Sequence, residues 1–241
     1  VGLKQYAVAL VRKHRPDITI ESLAGKRSCH TAVGRAAGWV YPVSYLIEHE
    51  WMPITECNVP VKSAAAYFGD MCAPDGLARY YNPFGNNPVS ICENCDGYGD
   101  TFCNQHDPFA GYDGAFECMA SERGEVAWVR NYTVYQATSN SSSKYSPEDF
   151  ELLCTDNRRE PVDKAEGCNW GLVSSHVVMT SAIRDQEVRN EYKRLLELLS
   201  MDFGDGGIIY DLFQLFESHE WGKADLMFTD ATLQLQDVKE A

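Results

Sequence analysis

Nine cysteines constrain this 241-residue chain more than any other feature: Cys29, Cys57, Cys72, Cys92, Cys95, Cys103, Cys118, Cys154 and Cys168. Such density favours an oxidising, extracellular setting in which thiols pair. Nine is odd, so at least one cysteine is left to a partner outside the chain or stays free. Two N-glycosylation sequons point to the same compartment. They are Asn131-Tyr132-Thr133 and Asn140-Ser141-Ser142, and the second, in the polar run TSNSSSKYS, is the better acceptor. A rival use exists for part of the set. Cys92-x2-Cys95-x7-Cys103-x2-His106 supplies the four soft ligands of a structural zinc, and the loop-like DGYGD within it suits zinc or a disulfide-laced loop alike.

Charge and hydropathy narrow the function classes. Lys plus Arg number 21 against 35 Asp plus Glu, a formal charge of −14, which repels phosphate backbones and sets nucleic-acid binding aside. No apolar run approaches the ~18 residues of a membrane span. The opening VGLKQYAVALVRK is too short in its apolar part, and wrongly flanked, for a signal peptide. With 44% hydrophobic residues the composition is that of an ordinary globular protein.

The hydrophobic pattern reads as α/β. Tyr6 to Val11 is a near-continuous apolar run, which predicts a strand buried on both faces. ITIESLAG predicts a short helix ended by Gly25, and a second short strand begins at Lys26 to Cys29. A glycine-bearing turn then feeds a helix from about Ala37 to Glu50, with Pro53 barring continuation. Ser63 to Phe68 is a small helix or turn, and Gly69 to Asp113 reads as loop. EVAWVRNYTVY is a second buried strand, Ser146-Pro147-Glu148-Asp149 a helix start, and Gln186 to Leu199 an amphipathic helix with Val188, Tyr192, Leu195 and Leu199 on one face. Gly204 to Gly207 ends it.

The most informative segment is SCHTAVGRAAGW, residues 28–39. It is a strand end, a glycine-eased turn and a helix start. Free N–H groups at a helix start, here around Ala37 and Gly38, bind small anions. A hydroxyl at Thr31 and a guanidinium at Arg35 would complete the cradle, because Arg makes paired hydrogen bonds to planar oxyanions. A capped helix beside a solvated arginine is the alternative.

This segment resembles the anion-binding signature of the transferrin family. GYDGAFEC resembles the family's segment carrying the second iron-binding tyrosine, and GEVAWVRN the strand after it. FELLCTDNRREPVD and CNWGLVSSHVVM resemble the disulfide-linked stretch leading to the iron-binding histidine, and DLMFTDAT the final part of a lobe's first domain. The motifs run in the family's order along nearly the whole chain. The cysteine loop, with no nearby second cysteine after Cys72, is most like that of melanotransferrins and related invertebrate transferrins.

The resemblance implies a periplasmic-binding-protein-like (type II) two-domain lobe with mixed sheets, part of a bilobal, secreted or surface-anchored carrier of Fe³⁺ and a synergistic carbonate. Residues 1–170 would form the complete second domain and residues 171–241 the returning, incomplete part of the first. Tyr112 and His176 would be ferric ligands. Thr31, Arg35 and the N–H groups of Ala37 and Gly38 would hold the carbonate. Hard ferric iron prefers oxygen donors, phenolate included. The implied disulfides are Cys29–Cys118, Cys72–Cys95, Cys92–Cys103 and Cys154–Cys168, with Cys57 left over. That pairing lowers the zinc reading. The implied partners are ferric iron, carbonate, the rest of the lobe, a second lobe and a cell-surface receptor.

The departures from the family pattern matter as much. The first strand of the family carries two consecutive tyrosines, the first of them a ligand; here the pair is Gln5-Tyr6. A neutral amide supplies no phenolate charge, and strand alternation turns Tyr6 to the opposite face. The aspartate ligand has no counterpart in these residues. Where many family lobes place two lysines that repel one another at acidic pH, this chain has Arg130 and Thr229. The expectation is a weakened ferric site. The alternative is a degenerate lobe with a structural or cell-surface adhesive role. An enzyme is not expected: Cys29 and His30 are strand neighbours facing opposite ways, and Ser174 and Ser175 lack a G-x-S-x-G context.

Overall fold

The computed structural model describes residues 5–56, 59–139, 143–173, 177–218, 221, 226–228, 232 and 235. Cys57, Asn140, His176 and Thr229 lie outside the described residues. The chain divides into two compact units, residues 5–173 and residues 1–4 with 174–241.

The larger unit is organised by β1 (Gln5–Arg12). Ala7 through Val11 are each at most 1% exposed, so the strand is covered on both faces, as its apolar run predicts. On one side β1 pairs antiparallel with β4 (Val126–Arg130). On the other its second half pairs with β5 (Phe150–Leu153) and its first residues with β7 (Gly171–Val173). Pairing of β7 with β1 carries the larger unit through Val173. Beyond β4 come β2 (Ser28–His30) and β3 (Met71–Cys72), both parallel, and β6 (Arg159–Pro161) pairs with β5. Among the described residues the result is a seven-stranded mixed sheet in the order β3-β2-β4-β1-β5-β6, with β7 off that path.

Helices cover the sheet. A five-residue π-helical turn, Ala36–Val40, leads into α1 (Tyr41–Glu48), whose second residue is Pro42. α2 (Pro60–Tyr67) occupies the stretch expected to hold a small helix. α3 (Gly111–Ala120) opens where a loop was expected, and α4 (Thr133–Thr138) follows β4 within the segment expected to be one continuous strand. The core is aromatic-rich around Trp128, whose ring meets Trp170 at 4.7 Å and Phe68 at 6.3 Å between centroids.

Two further expectations are corrected. ITIESLAG forms turns rather than a helix. Ile18, Ile20 and Leu23 are all buried, while the Ser22 hydroxyl bonds the carbonyls of Asp17 and Thr19 and accepts from the Thr19 amide. Side-chain bonds of this kind compete with the helix ladder. Ser146-Pro147-Glu148-Asp149 does form a capped start, but it yields one 3₁₀ turn, Pro147–Asp149, before the chain enters β5.

Among the described residues four disulfides lace this unit: Cys29–Cys118, Cys72–Cys95, Cys92–Cys103 and Cys154–Cys168. They consume Cys92, Cys95 and Cys103, so the zinc alternative with His106 fails for want of thiolates. Cys72, Cys95 and Asp107 cluster closely, yet both sulfurs are bridged. The buried Asp107 carboxylate instead accepts the amides of Gly97, Cys103 and Phe109 and so fixes the loop.

In the smaller unit α5 (Gln186–Phe203) ends at Gly204, as its sequence predicts. Its residues are not buried; Tyr192 and Leu195 of the expected apolar face are exposed. After it the chain folds back, with Leu215 N–H on the Phe203 carbonyl and Phe213 edge-on to Phe203. Among the described residues no helix is long and apolar enough to cross a membrane.

Candidate oxyanion and metal site

β2 and β4 are parallel neighbours, so their C-terminal ends lie side by side. In open α/β sheets this end of the strands is where ligands bind. His30 ends β2, Thr31 follows it, and Arg130 ends β4. β1 runs antiparallel to β4, which brings its first residue, Gln5, to the same end. Ala7 pairs with Arg130, and alternation puts Gln5 on that same sheet face.

Elements from both faces converge here. His30 faces the π-helical turn, with its Nδ1 2.8 Å from the Gly38 carbonyl. Cys29, one residue earlier and on the opposite face, is bridged to Cys118 of α3. The Gly111 amide at the start of α3 bonds the Thr31 carbonyl at 2.8 Å. β2 thus holds the turn on one side and Tyr112, the next residue of α3, on the other. The Cys29–His30 pair is no catalytic dyad: one member is a disulfide and the other turns away.

The turn has donors to offer. Trp39 and Val40 both donate to the Arg35 carbonyl, the first bonds of the helical stretch. The N–H groups of Ala36, Ala37 and Gly38 precede them and have no acceptor within the helix. Ala37 and Gly38 are buried, whereas Arg35 and Ala36 are exposed at the mouth. Thr31 is 2% exposed, and among the described residues its Oγ1 has no hydrogen-bond partner. That hydroxyl is packed against Gly38 so closely that a Cβ built there would collide with it. A buried hydroxyl without a partner costs free energy, and it sits beside amides that have no acceptor within the helix. Both observations fit a small oxyanion, with the Arg35 guanidinium free to close over it.

Tyr112 is half-buried. The Arg130 guanidinium stacks 4.3 Å from the centre of its ring and donates from Nη1 to the Tyr132 hydroxyl at 2.7 Å. Burial pushes the Tyr112 phenol above its ordinary value, while the charges of Arg130 and Arg35 pull it down. The Arg130 charge against the ring thus favours the phenolate that burial opposes.

The sequence-predicted residues Thr31, Arg35, Ala37, Gly38 and Tyr112 therefore gather at one end of the sheet. His176 lies outside the described residues, three positions beyond β7. Asn131 of the first sequon uses its Oδ1 to accept the Tyr6 amide at 2.9 Å, and Thr133 is fully buried. Sequence reasoning missed the support that Ser28 and His30 give the turn, and the contact of Arg130 with Tyr112 and Tyr132. The signal for the first was present in Pro42, which has no N–H to offer the Gly38 carbonyl four residues earlier.

The Transferrin family model matches residues 1–241. The chain is 36% identical to Transferrin 2 of Drosophila melanogaster over 210 residues, covering 85% of this chain and 26% of that protein. It is 34% identical to Melanotransferrin of Homo sapiens over 251 aligned residues, covering 99% of this chain and 32% of that protein. It is 36% identical to Serotransferrin of Sus scrofa, covering 94% of this chain and 30% of that protein. The chain spans about a quarter to a third of the length of these relatives. With a family match along its whole length, and relatives of this similarity, the chain belongs to the transferrin family.

Proposed function

We propose that the protein binds ferric iron together with carbonate, as part of an extracellular transferrin-type carrier, and that Gln5 weakens the site. The observation that carries this reading is the buried, unpartnered Thr31 hydroxyl against Gly38, beside the free amides of the π-helical turn. Carbonate is planar and doubly charged. It would take hydrogen bonds from Thr31, Ala37 and Gly38 and a paired contact from Arg35. Tyr112 would meet the metal as phenolate and release its proton on binding. His176 would add a neutral imidazole donor.

In this reading residues 1–170 are the second domain of a lobe, and residues 171–241 are the returning part of the first. The type II two-domain fold of the family, the other lobe and a receptor belong to the same proposal, as does a secreted or surface-anchored location. The disulfides favour that location. A binding role without catalysis fits as well, since the gathered residues hold anions and hard cations.

The test is a ferric titration of the whole protein with and without bicarbonate, reading the visible iron–phenolate band. A bicarbonate-dependent band that disappears in Tyr112→Phe supports the carrier. Folded protein with no band overturns it and leaves the degenerate lobe with a surface or structural role.

A further inference from the structure

We propose that His30, as a neutral ring carrying its proton on Nδ1, is a positioning residue that holds the oxyanion turn in its binding shape. The inference rests on the oxyanion reading of the turn for its purpose, although the contact itself stands apart from it. The Gly38 carbonyl is the point of leverage. In an α-helix it would accept from the residue four positions on, but that residue is Pro42, which has no N–H. The carbonyl belongs to buried backbone and needs a donor. His30 Nδ1, 2.8 Å away, is that donor.

The chemistry of the partners fixes the tautomer. A carbonyl oxygen only accepts, so Nδ1 carries hydrogen. The other ring nitrogen, Nε2, lies 3.0 Å from the Ser28 hydroxyl. With Nδ1 protonated in a neutral ring, Nε2 must accept, and Ser28 donates to it. The ring is fully buried among Trp39, Phe68 and Trp128, with centroids at 5.1, 5.7 and 6.3 Å. An apolar aromatic box of this kind disfavours the imidazolium.

The consequence is that Gly38 is fixed at two points. Its carbonyl is held by His30 and its Cα is pressed by the Thr31 side chain, and both residues hang from the end of β2. The Gly38–Trp39 peptide plane is thereby set and Gly38 is held against Thr31, which limits how far the preceding amides of Ala37 and Gly38 can swing before an anion arrives. Such preorganisation is how a few hydrogen bonds become effective in binding.

The experiment uses the whole protein without iron. His30→Leu keeps an apolar filling but removes the donor. His30→Asn returns an amide N–H to about the place of Nδ1. In His30→Leu the amides of Trp39 and Val40 are expected to exchange hydrogen faster and bicarbonate to bind more weakly, each by about tenfold, the size of one lost buried hydrogen bond. His30→Asn is expected to recover most of both. Nitrogen-15 NMR of native protein is expected to show the neutral Nδ1–H form, and Ser28→Ala to disturb the tautomer while leaving the ring packed. Native-like exchange in a folded His30→Leu, or a native ring protonated on Nε2, overturns the proposal. If His30→Leu does not fold, the native tautomer and Ser28→Ala decide. If native protein binds no bicarbonate, the oxyanion reading fails alone, and amide exchange still tests His30.

Discussion

The Arg130 guanidinium lies 4.3 Å over the ring of Tyr112. A fixed positive charge at that distance favours the phenolate, against the burial that raises the phenol. Arg130→Gln is therefore expected to raise the Tyr112 pKa further. Ultraviolet titration of the phenol, with Tyr112→Phe to identify its contribution, measures this directly. The same variant should need a higher pH for ferric loading, and a phenol titrating as in native protein would contradict the electrostatic role.

Gln5 shares the sheet end and face of Arg130, and its amide supplies no negative charge. Gln5→Tyr is expected to tighten ferric binding by tenfold or more, on the order of the 1.4 kcal/mol that a tenfold change represents, and to intensify the visible band. Competition against a chelator reads the affinity. An unchanged constant with Gln5→Tyr folded would remove Gln5 from the ligand position.

Gly38 has no room for a side chain beside Thr31. Gly38→Ala is expected to displace the Thr31 hydroxyl, cost about 1–3 kcal/mol of stability by overpacking and abolish bicarbonate dependence. Denaturant unfolding and a bicarbonate titration measure the two effects. Loss of stability with anion binding intact would separate the glycine from the cradle.

Burial lowers the His30 pKa from 6.5 to about 4, partly offset by its bond to the Gly38 carbonyl. The unfolded chain therefore binds the proton more readily than the folded one. The contribution is fully present above about pH 6.5 and is lost as pH falls toward and through about 4. The difference corresponds to on the order of 3 kcal/mol. Urea unfolding from pH 7 to 4 should show this slope in native protein and a flatter one in His30→Asn. Parallel slopes would exclude His30 as its source.

Cys29 and Cys118 are 89 residues apart, Cys92 and Cys103 only 11. By loop closure, replacing the first pair with serine should cost about 4–5 kcal/mol, and the second about 3. Thermal unfolding of the two double variants checks the order. The long bridge should also matter for iron, since it ties β2 to the helix that carries Tyr112.

Much of this architecture is legible from local pattern. β1 announces itself by an apolar run, and α5 by its period and closing glycine. The disulfide pairs follow from resemblance, since spacing alone left zinc open. α3 escapes because Gly111 and Gly114 weaken its helix signal, and packing decides instead. Ala115, Phe116, Cys118 and Met119 are buried, Gly111 takes a left-handed φ of 75°, and Gly114 lies against the Phe109 backbone. Tertiary burial overrides propensity there. The helix start is visible in SCHTAVGRAAGW, but the contact of the His30 ring with the Gly38 carbonyl is not. A histidine beside a cysteine says nothing about a carbonyl eight residues away until the strand and turn are folded together.

β2 is three residues long, yet it anchors both the turn that offers amides and the helix that offers a phenol. A covalent bridge and short hydrogen bonds leave these two offerings little freedom to drift apart. In the proposed reading the turn and Tyr112 would therefore act as one unit, tied together through β2.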